Sequence, residues 1–497
     1  MPPINAGQPT GPPPPDAKSV PLGNVETSAI PNFLRLDQVP VNYEQKIETD
    51  LLEPVVQNAA TTTRTGFIRF QLQQKGFLHS HSKLFLSLTP NATNDDAFLP
   101  VGIGIGSVID KAVLKVGNAV LNEISEWGQF HALKSTLITG ENNKEREQYT
   151  TGRSVAHQFL YNATGIAAGD DRKAKHYALD NGREYDTGND PTAATDLKQL
   201  PFARMDGTDA TTVAQSPSYA IDLSDLFPFL KVHSLPLYMI DQPITIELTT
   251  SPSASGRVGL NSAGQTLTLA YELDKAETKF CADYIFYGAG DEMEQFRAKN
   301  KSMVFSFADY RLVSTSADNS GSAQPIASLV RNLGMANREV TRVITALNPD
   351  ALVESSILNK YSSLAPTVAT GVSTAIEFNV RYNDRFEFSS NVSNKARLFN
   401  QLLDAEGVPH VTRSGYSNEG LTQGYTDMTY EGRNQRGLAG QFFYLSTRLT
   451  GGRVGQQGIE LHIKVADMPT DLRTVRNWCE YLRGAELSDG KISVYNI

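Results

Sequence analysis

The feature that most constrains this chain is a recurring pattern of short runs in which apolar and polar residues alternate, each ended by a turn signal. In a strand, successive side chains point to opposite faces, so such a run buries one face and wets the other. Residues 67–72 show it plainly: Ile68, Phe70 and Leu72 share one face, and Phe67, Arg69 and Gln71 share the other. A turn at Lys75-Gly76 follows, and KLFLSL (83–88) resumes the pattern. In VLKVGNAVLNEI (113–124), Gly117-Asn118 separates two β-branched runs, and both residues tolerate the positive φ that a tight hairpin requires. The next segment, Ser125 to Ile138, reads instead as a short helix. Ser125 is placed to cap it, and Trp127, Phe130 and Leu133 or Lys134 repeat at helical spacing.

The pattern breaks over residues 140–220, which are polar, turn-rich and without periodicity, as expected of a long surface insertion. It returns in residues 219–250, with a short helix or turn around Leu226 to Leu230, then Pro236, then a strand from Ile244 to Leu248. LTLAYEL and KFCADYIFYG supply two more strand candidates. Beyond residue 300 the architecture starts again. Residues 303–313 open a second set, continued by 338–346, 375–381, 441–449 and 459–465. With 497 residues the chain exceeds the size at which one core usually stops growing. The expected fold class is all-β: two tandem β-sandwich or jelly-roll domains with short helices and long loop insertions. The expected boundaries are a Pro-rich extended arm at 1–40, a first roll at 41–298 carrying the 140–220 insertion, and a second roll at 299–497. The arm rests on nine prolines in the first 34 residues, which fix φ and withhold donors.

Charge narrows the partners. The net charge is −9, and no cluster of Lys and Arg stands ready to neutralise phosphates, so direct or sequence-specific nucleic-acid binding is not expected. Cys281 and Cys479 lie far apart in sequence and read as two buried free thiols of a protein made in a reducing cytoplasm or nucleus. The N-terminus lacks the form of a signal peptide, and no apolar run is long enough to span a bilayer. The sequons at Asn91, Asn162 and Asn391 are then expected to stay unmodified.

Candidate chemistry is sparse. GIGIGSV (102–108) lacks the spacing of a dinucleotide fingerprint, and no phosphate-binding P-loop sequence occurs. His79 and His81, if on a strand, would share a face as a metal pair, but no third ligand is near, and a hydrated strand or loop is the better reading. Ser417 sits in GYSNEG, which misses the nucleophile-elbow pattern. Asp95-Asp96 and Asp170-Asp171 fall in loop-like sequence with no sign of a catalytic pair. The sequence therefore nominates no catalytic, cofactor-binding, metal or nucleic-acid-binding residues, and no cofactor.

Four stretches, in order, carry a family resemblance: VLKVGNAVLNEISEWGQFHALKSTL, DLSDLFPFLKVHSLPLYMIDQPITIEL, CADYIFYGAGDEMEQFRAKNKSMVFSF, and NVRYNDRFEFSSNVSNKARLFN with the terminal VRNWCEYLRGAELSDGKISVYNI. Together they resemble the double jelly-roll major capsid proteins of double-stranded DNA viruses: polinton-like viruses, virophages and the nucleocytoplasmic large DNA viruses. Residues 113 to 497 are covered. The Pro-Ser-Gly and Asn-Phe-Ser strand of the giant-virus branch is absent, with GRVGQQGIELHIKVAD in its place, which points to the smaller-virus branches. The resemblance implies a non-enzymatic subunit of an icosahedral virion capsid, forming homotrimeric, hexon-like, pseudo-hexagonal capsomers. It also implies neighbouring capsomers, penton proteins and minor or cement capsid proteins as partners. Two alternatives stand beside it: a tandem jelly-roll carbohydrate-active enzyme or glycan amidase, and a virion attachment or spike protein.

Overall fold

The computed structural model describes residues 45–61, 64–90, 97–100, 104–138, 146, 150–152, 202–204, 218–252, 259–260, 271–273, 276–287, 291–316, 326–349, 376–393, 395–407, 444–450, 452–465 and 472–497. Strands are numbered in chain order. One sheet runs β10 (Ser218–Asp222), β5 (Lys83–Pro90), β15 (Lys279–Tyr287), β4 (Phe77–Leu78), β11 (Leu235–Pro236). To it β1 (Gln45–Leu52) adds alongside β15, and β14 (Tyr271–Leu273) alongside β5. The sheet opposite runs β2 (Val56–Asn58), β3 (Gly66–Leu72), β12 (Ile244–Thr250), β7 (Ile109–Val116), β8 (Ala119–Ser125). A small sheet joins β13 (Gly259–Leu260), β6 (Ala97–Pro100) and β9 (Phe202–Arg204).

The later strands form their own pair of sheets. One runs β16 (Ser302–Ser316), β23 (Leu472–Ser488), β18 (Val340–Pro349), β21 (Tyr444–Arg448), with β24 (Lys491–Asn496) beside β23. The other runs β17 (Ile326–Gly334), β22 (Ile459–Val465), β19 (Ile376–Tyr382), β20 (Arg385–Phe386). The ladders are antiparallel, as expected of strands with one wet face. The helices are short: α1 (Trp127–Ile138), α2 (Leu223–Leu226), α3 (Pro228–Val232), α4 (Asp291–Lys299) and α5 (Lys395–Glu406).

Local sequence accounts for these elements. In β3, Ile68, Phe70 and Leu72 are buried and Gln71 is exposed, and Phe70 meets Phe280 of the opposite sheet at 5.9 Å between ring centroids. The predicted hairpin at Gly117-Asn118 forms, with Gly117 at φ 57°. The predicted strands at 303–313, 338–346, 375–381, 441–449 and 459–465 correspond to β16, β18, β19, β21 and β22. Buried apolar side chains of both pairs of sheets merge into one continuous cluster.

The expectations for Ser125 and Cys281 need correction, and two turns complete the local picture. Ser125 does not cap α1; it ends β8, and Glu126 makes the strand-to-helix corner at φ 53°. His79 and His81 lie in a tight turn between β4 and β5, because the Ser82 backbone N–H donates back to the His79 carbonyl at 3.1 Å. NVRYNDRFEF forms a hairpin: Asn383 and Asp384 both take positive φ (48° and 59°) between β19 and β20. Cys479 is buried, but Cys281 is only half-buried; both are free thiols. The 1–40 arm, most of the 140–220 insertion, Asn91 and Asn162 lie outside the described residues.

Candidate functional site: the joint between the two sandwiches

The densest polar chemistry in the described chain lies where the two pairs of sheets meet. Strand β8, α1 and α3 come from the first; β16, β18 and β23 from the second, with α5 behind them. Aromatic packing makes the floor of the contact. Phe229 of α3 meets Phe305 and Phe307 of β16 edge-on, at 5.7 and 5.0 Å between centroids. Phe130 of α1 meets Tyr310 at 4.5 Å and Trp478 at 6.0 Å. Large rings in such offset geometries bury the most area per residue and fix orientation as well.

Asp309 is the hub of one polar cluster. It stands at an inward position of β16, after Phe305 and Phe307, and is almost fully buried. Its Oδ1 accepts from Asn122 Nδ2 (3.1 Å) and the Glu123 backbone N–H (3.3 Å) of β8. Its Oδ2 accepts from Arg483 (2.7 Å) and the Tyr481 hydroxyl (3.1 Å) of β23. The carboxylate is thus shared between the two sandwiches, its charge met by Arg483 and its remaining lone pairs filled. Burial, then the Asp309 charge, pushes the Tyr481 hydroxyl up to about 12, so it stays a donor. Asn122 is used on both sides, because its Oδ1 accepts the Phe229 backbone N–H at 2.8 Å.

A second chain of polar groups crosses the joint from helix to helix. Lys134 of α1 donates to the Tyr310 hydroxyl (2.7 Å), which donates to Glu480. Glu480 pairs with Arg342, and Arg342 reaches the fully buried Glu406 of α5 at 2.7 Å. Register puts these groups on one face, since Tyr310 pairs with Glu480 and Glu480 with Arg342 across the strands. Burial alone would raise the Glu480 carboxyl, but Arg342 and Lys134 hold it down at about 2. Burial pushes Tyr310 far above the ordinary tyrosine range and Lys134 down to about 8. Elsewhere Trp478 Nε1 donates to the Ser125 carbonyl (3.1 Å) and Arg476 to Gln129 (3.2 Å). The β23–β24 turn docks on the loop before β12: Asp241 N–H donates to the Gly490 carbonyl (2.8 Å) and Ile492 N–H to Gln242 (3.0 Å).

The residues weighed from sequence fall elsewhere. His79 and His81 have ring centroids 5.3 Å apart, the His81 N–H donates to His79 Nδ1, and Asp222 stands 3.7 Å from His81 Nδ1. Among the described residues no group of three His, Cys, Asp or Glu could hold a metal ion. Gly104–Val108 is a buried 3-10 turn; a Cβ on Gly106 would stand 2.9 Å from the Trp127 ring, so this glycine serves close packing, and Gly104 takes a positive φ of 64°. Ser417, Asp95, Asp96, Asp170 and Asp171 lie outside the described residues. No described helix is long and apolar enough to cross a membrane.

No protein-family profile matches the chain, and none of the curated proteins compared does. Solved structures do match it along nearly its whole length. The Sputnik virophage structure aligns with a TM-score of 0.54 at 10% identity, over 94% of this chain and 92% of that one. The fold is a double jelly roll. The Faustovirus major capsid protein shares this double jelly roll with a TM-score of 0.50 and 10% identity, 94% of each chain being covered. The PBCV-1 virus capsid matches with a TM-score of 0.50 and 10% identity, over 92% of this chain and 97% of that one. At such identity the shared property is the double jelly-roll fold, and the joint described above is the contact that makes two rolls one body.

Proposed function

We propose that this chain is a major capsid protein, the structural subunit of the icosahedral shell of a double-stranded DNA virus. In this reading three copies associate as a pseudo-hexagonal capsomer. The observation that carries it is the joint: two sandwiches held in one chain by continuous apolar packing and two crossing polar networks. Two such bodies per chain, taken three times, give six similar bodies around one axis and therefore a tile suited to close packing. The fold shared with the Sputnik, Faustovirus and PBCV-1 structures supports the reading.

The proposed division is an arm at 1–40, a first roll at 41–298 and a second at 299–497. The partners are further copies of the chain, neighbouring capsomers, and penton and minor or cement capsid proteins, all within the virion. The net charge of −9 suits protein–protein contact better than wrapping a genome. No catalytic role belongs to the proposal, and no observation among the described residues favours the enzyme or attachment-protein alternatives. Light scattering of the purified protein tests the assembly step. A mass near three times the 54.3 kDa of the chain is expected. A monomer at every concentration and salt condition would overturn it.

A further inference from the structure

Of the chain of polar groups that crosses the joint from helix to helix, one member alone comes from the first roll: Lys134. Its ammonium faces groups on its own helix and on five other elements. The Tyr310 hydroxyl on β16 accepts from it, and the rings of Phe130 and Tyr310 lie 5.3 and 4.8 Å from it. Glu480 on β23 and Glu406 on α5 attract it, while Arg342 on β18 and Lys231 on α3 repel it. The two carboxylates are already engaged: Arg342 bridges Glu406 and Glu480. Among the described residues no carboxylate stands within ion-pair distance of Lys134, which meets Glu480 only through the Tyr310 hydroxyl. Lys231, for its part, pairs with Asp225 at 3.3 Å. A cation in this position is taken out of water without a carboxylate of its own.

We propose that the joint is proton-linked through Lys134: closing the two rolls on each other expels a proton from this side chain, and the closed joint grips more tightly as that proton leaves. The sign follows from burial. With the rolls apart, Lys134 is in water and holds its proton up to the ordinary 10.5; in the closed joint burial lowers this to about 8. The open state therefore binds more protons between those values, and closure gains stability as pH rises from about 8 to about 10.5. Below about 8 both states are protonated, and the contribution is flat. Tyr310 works against this near its ordinary 10.0, because closure raises it, but it does so in the wild type and in Lys134 variants alike, so the Lys134 contribution is read from their difference. Glu480 is held at about 2, Tyr310 is raised well above 10, and Arg342 is raised above its already high value.

The inference concerns the isolated subunit and stands apart from the shell-building reading, so either can fail without the other. The chain has two tryptophans, both buried: Trp478 lies at the joint against Ser125 and Phe130, and Trp127 opens the helix that carries Lys134, which makes intrinsic fluorescence a reporter of this region. Urea unfolding followed by that fluorescence would be run from pH 7 to pH 10 on the wild type, Lys134→Arg and Lys134→Met. Arginine keeps its proton throughout and methionine has none to lose. Relative to either variant, the wild-type unfolding equilibrium constant should be level below pH 8 and then fall, approaching about tenfold per pH unit between 8.5 and 10. Should the Met variant not fold, the comparison with Arg carries the test alone. Wild-type and Lys134→Arg profiles that stay parallel across this range would overturn the proposal.

Discussion

Asp309 accepts four hydrogen bonds, two from each roll, and nothing in its immediate sequence names those partners. Replacing it with Ala would leave the Arg483 charge without its carboxylate and take one acceptor from the Asn122 amide in a buried joint. Breaking a buried pair in this way costs about 3–5 kcal/mol, to be read as a lower urea midpoint. Asp309→Asn, which keeps one acceptor, should cost less. Glu480 makes a pH prediction of the same sense as that of Lys134, stability rising with pH, but in an acidic window. Its folded value of about 2 lies below the ordinary 4.5. The stability it contributes is complete above about pH 4.5 and disappears as pH falls through 2. Glu480→Gln should therefore be less stable than the wild type at neutral pH, the gap closing towards pH 2 in acid-unfolding curves. A gap that stays constant down to pH 2 would show that the carboxylate is not held ionised by the joint. These residues were partly legible. A charged residue in phase with Phe305 and Phe307 marks Asp309 as buried and in need of a partner. Alternation cannot reach the partner itself, because Asn122 lies 187 positions away.

Elements were legible where one face is buried and a turn residue sets the end. β3 alternates because its core face and wet face differ, and the β7–β8 hairpin follows from Gly117-Asn118. The β19–β20 hairpin was missed because Asn383-Asp384 carries no glycine, although both residue types tolerate the left-handed region. The β23–β24 turn shows what such a turn can do beyond reversing the chain. Gly490 has φ 76°, and a Cβ there would stand 2.1 Å from Asp241 Oδ2, in the loop of the other roll. Gly490→Ala should therefore destabilise by more than about 1 kcal/mol, from strain at the turn and from loss of the Asp241 contact. Hydrogen exchange would show the loss in both the β24 amides and the loop around Asp241. Loosening of β24 alone would mean that the turn does not hold the first roll.

For the whole molecule, the two-sandwich architecture was readable as repeated pattern, and the four sequence landmarks pointed to the same arrangement. The joint was not readable, because its contacts join residues far apart in sequence, as from Gln129 to Arg476, and depend on how whole sheets settle against each other. That joint is nevertheless what turns two sandwiches into a single tile. Whether such tiles assemble in threes into a shell is decided by electron microscopy of the purified protein under assembly conditions. Pseudo-hexagonal particles of three subunits are expected, each subunit resolved as two adjoining rolls, with sheets or shells built from them. Isolated two-roll monomers under every condition would contradict it.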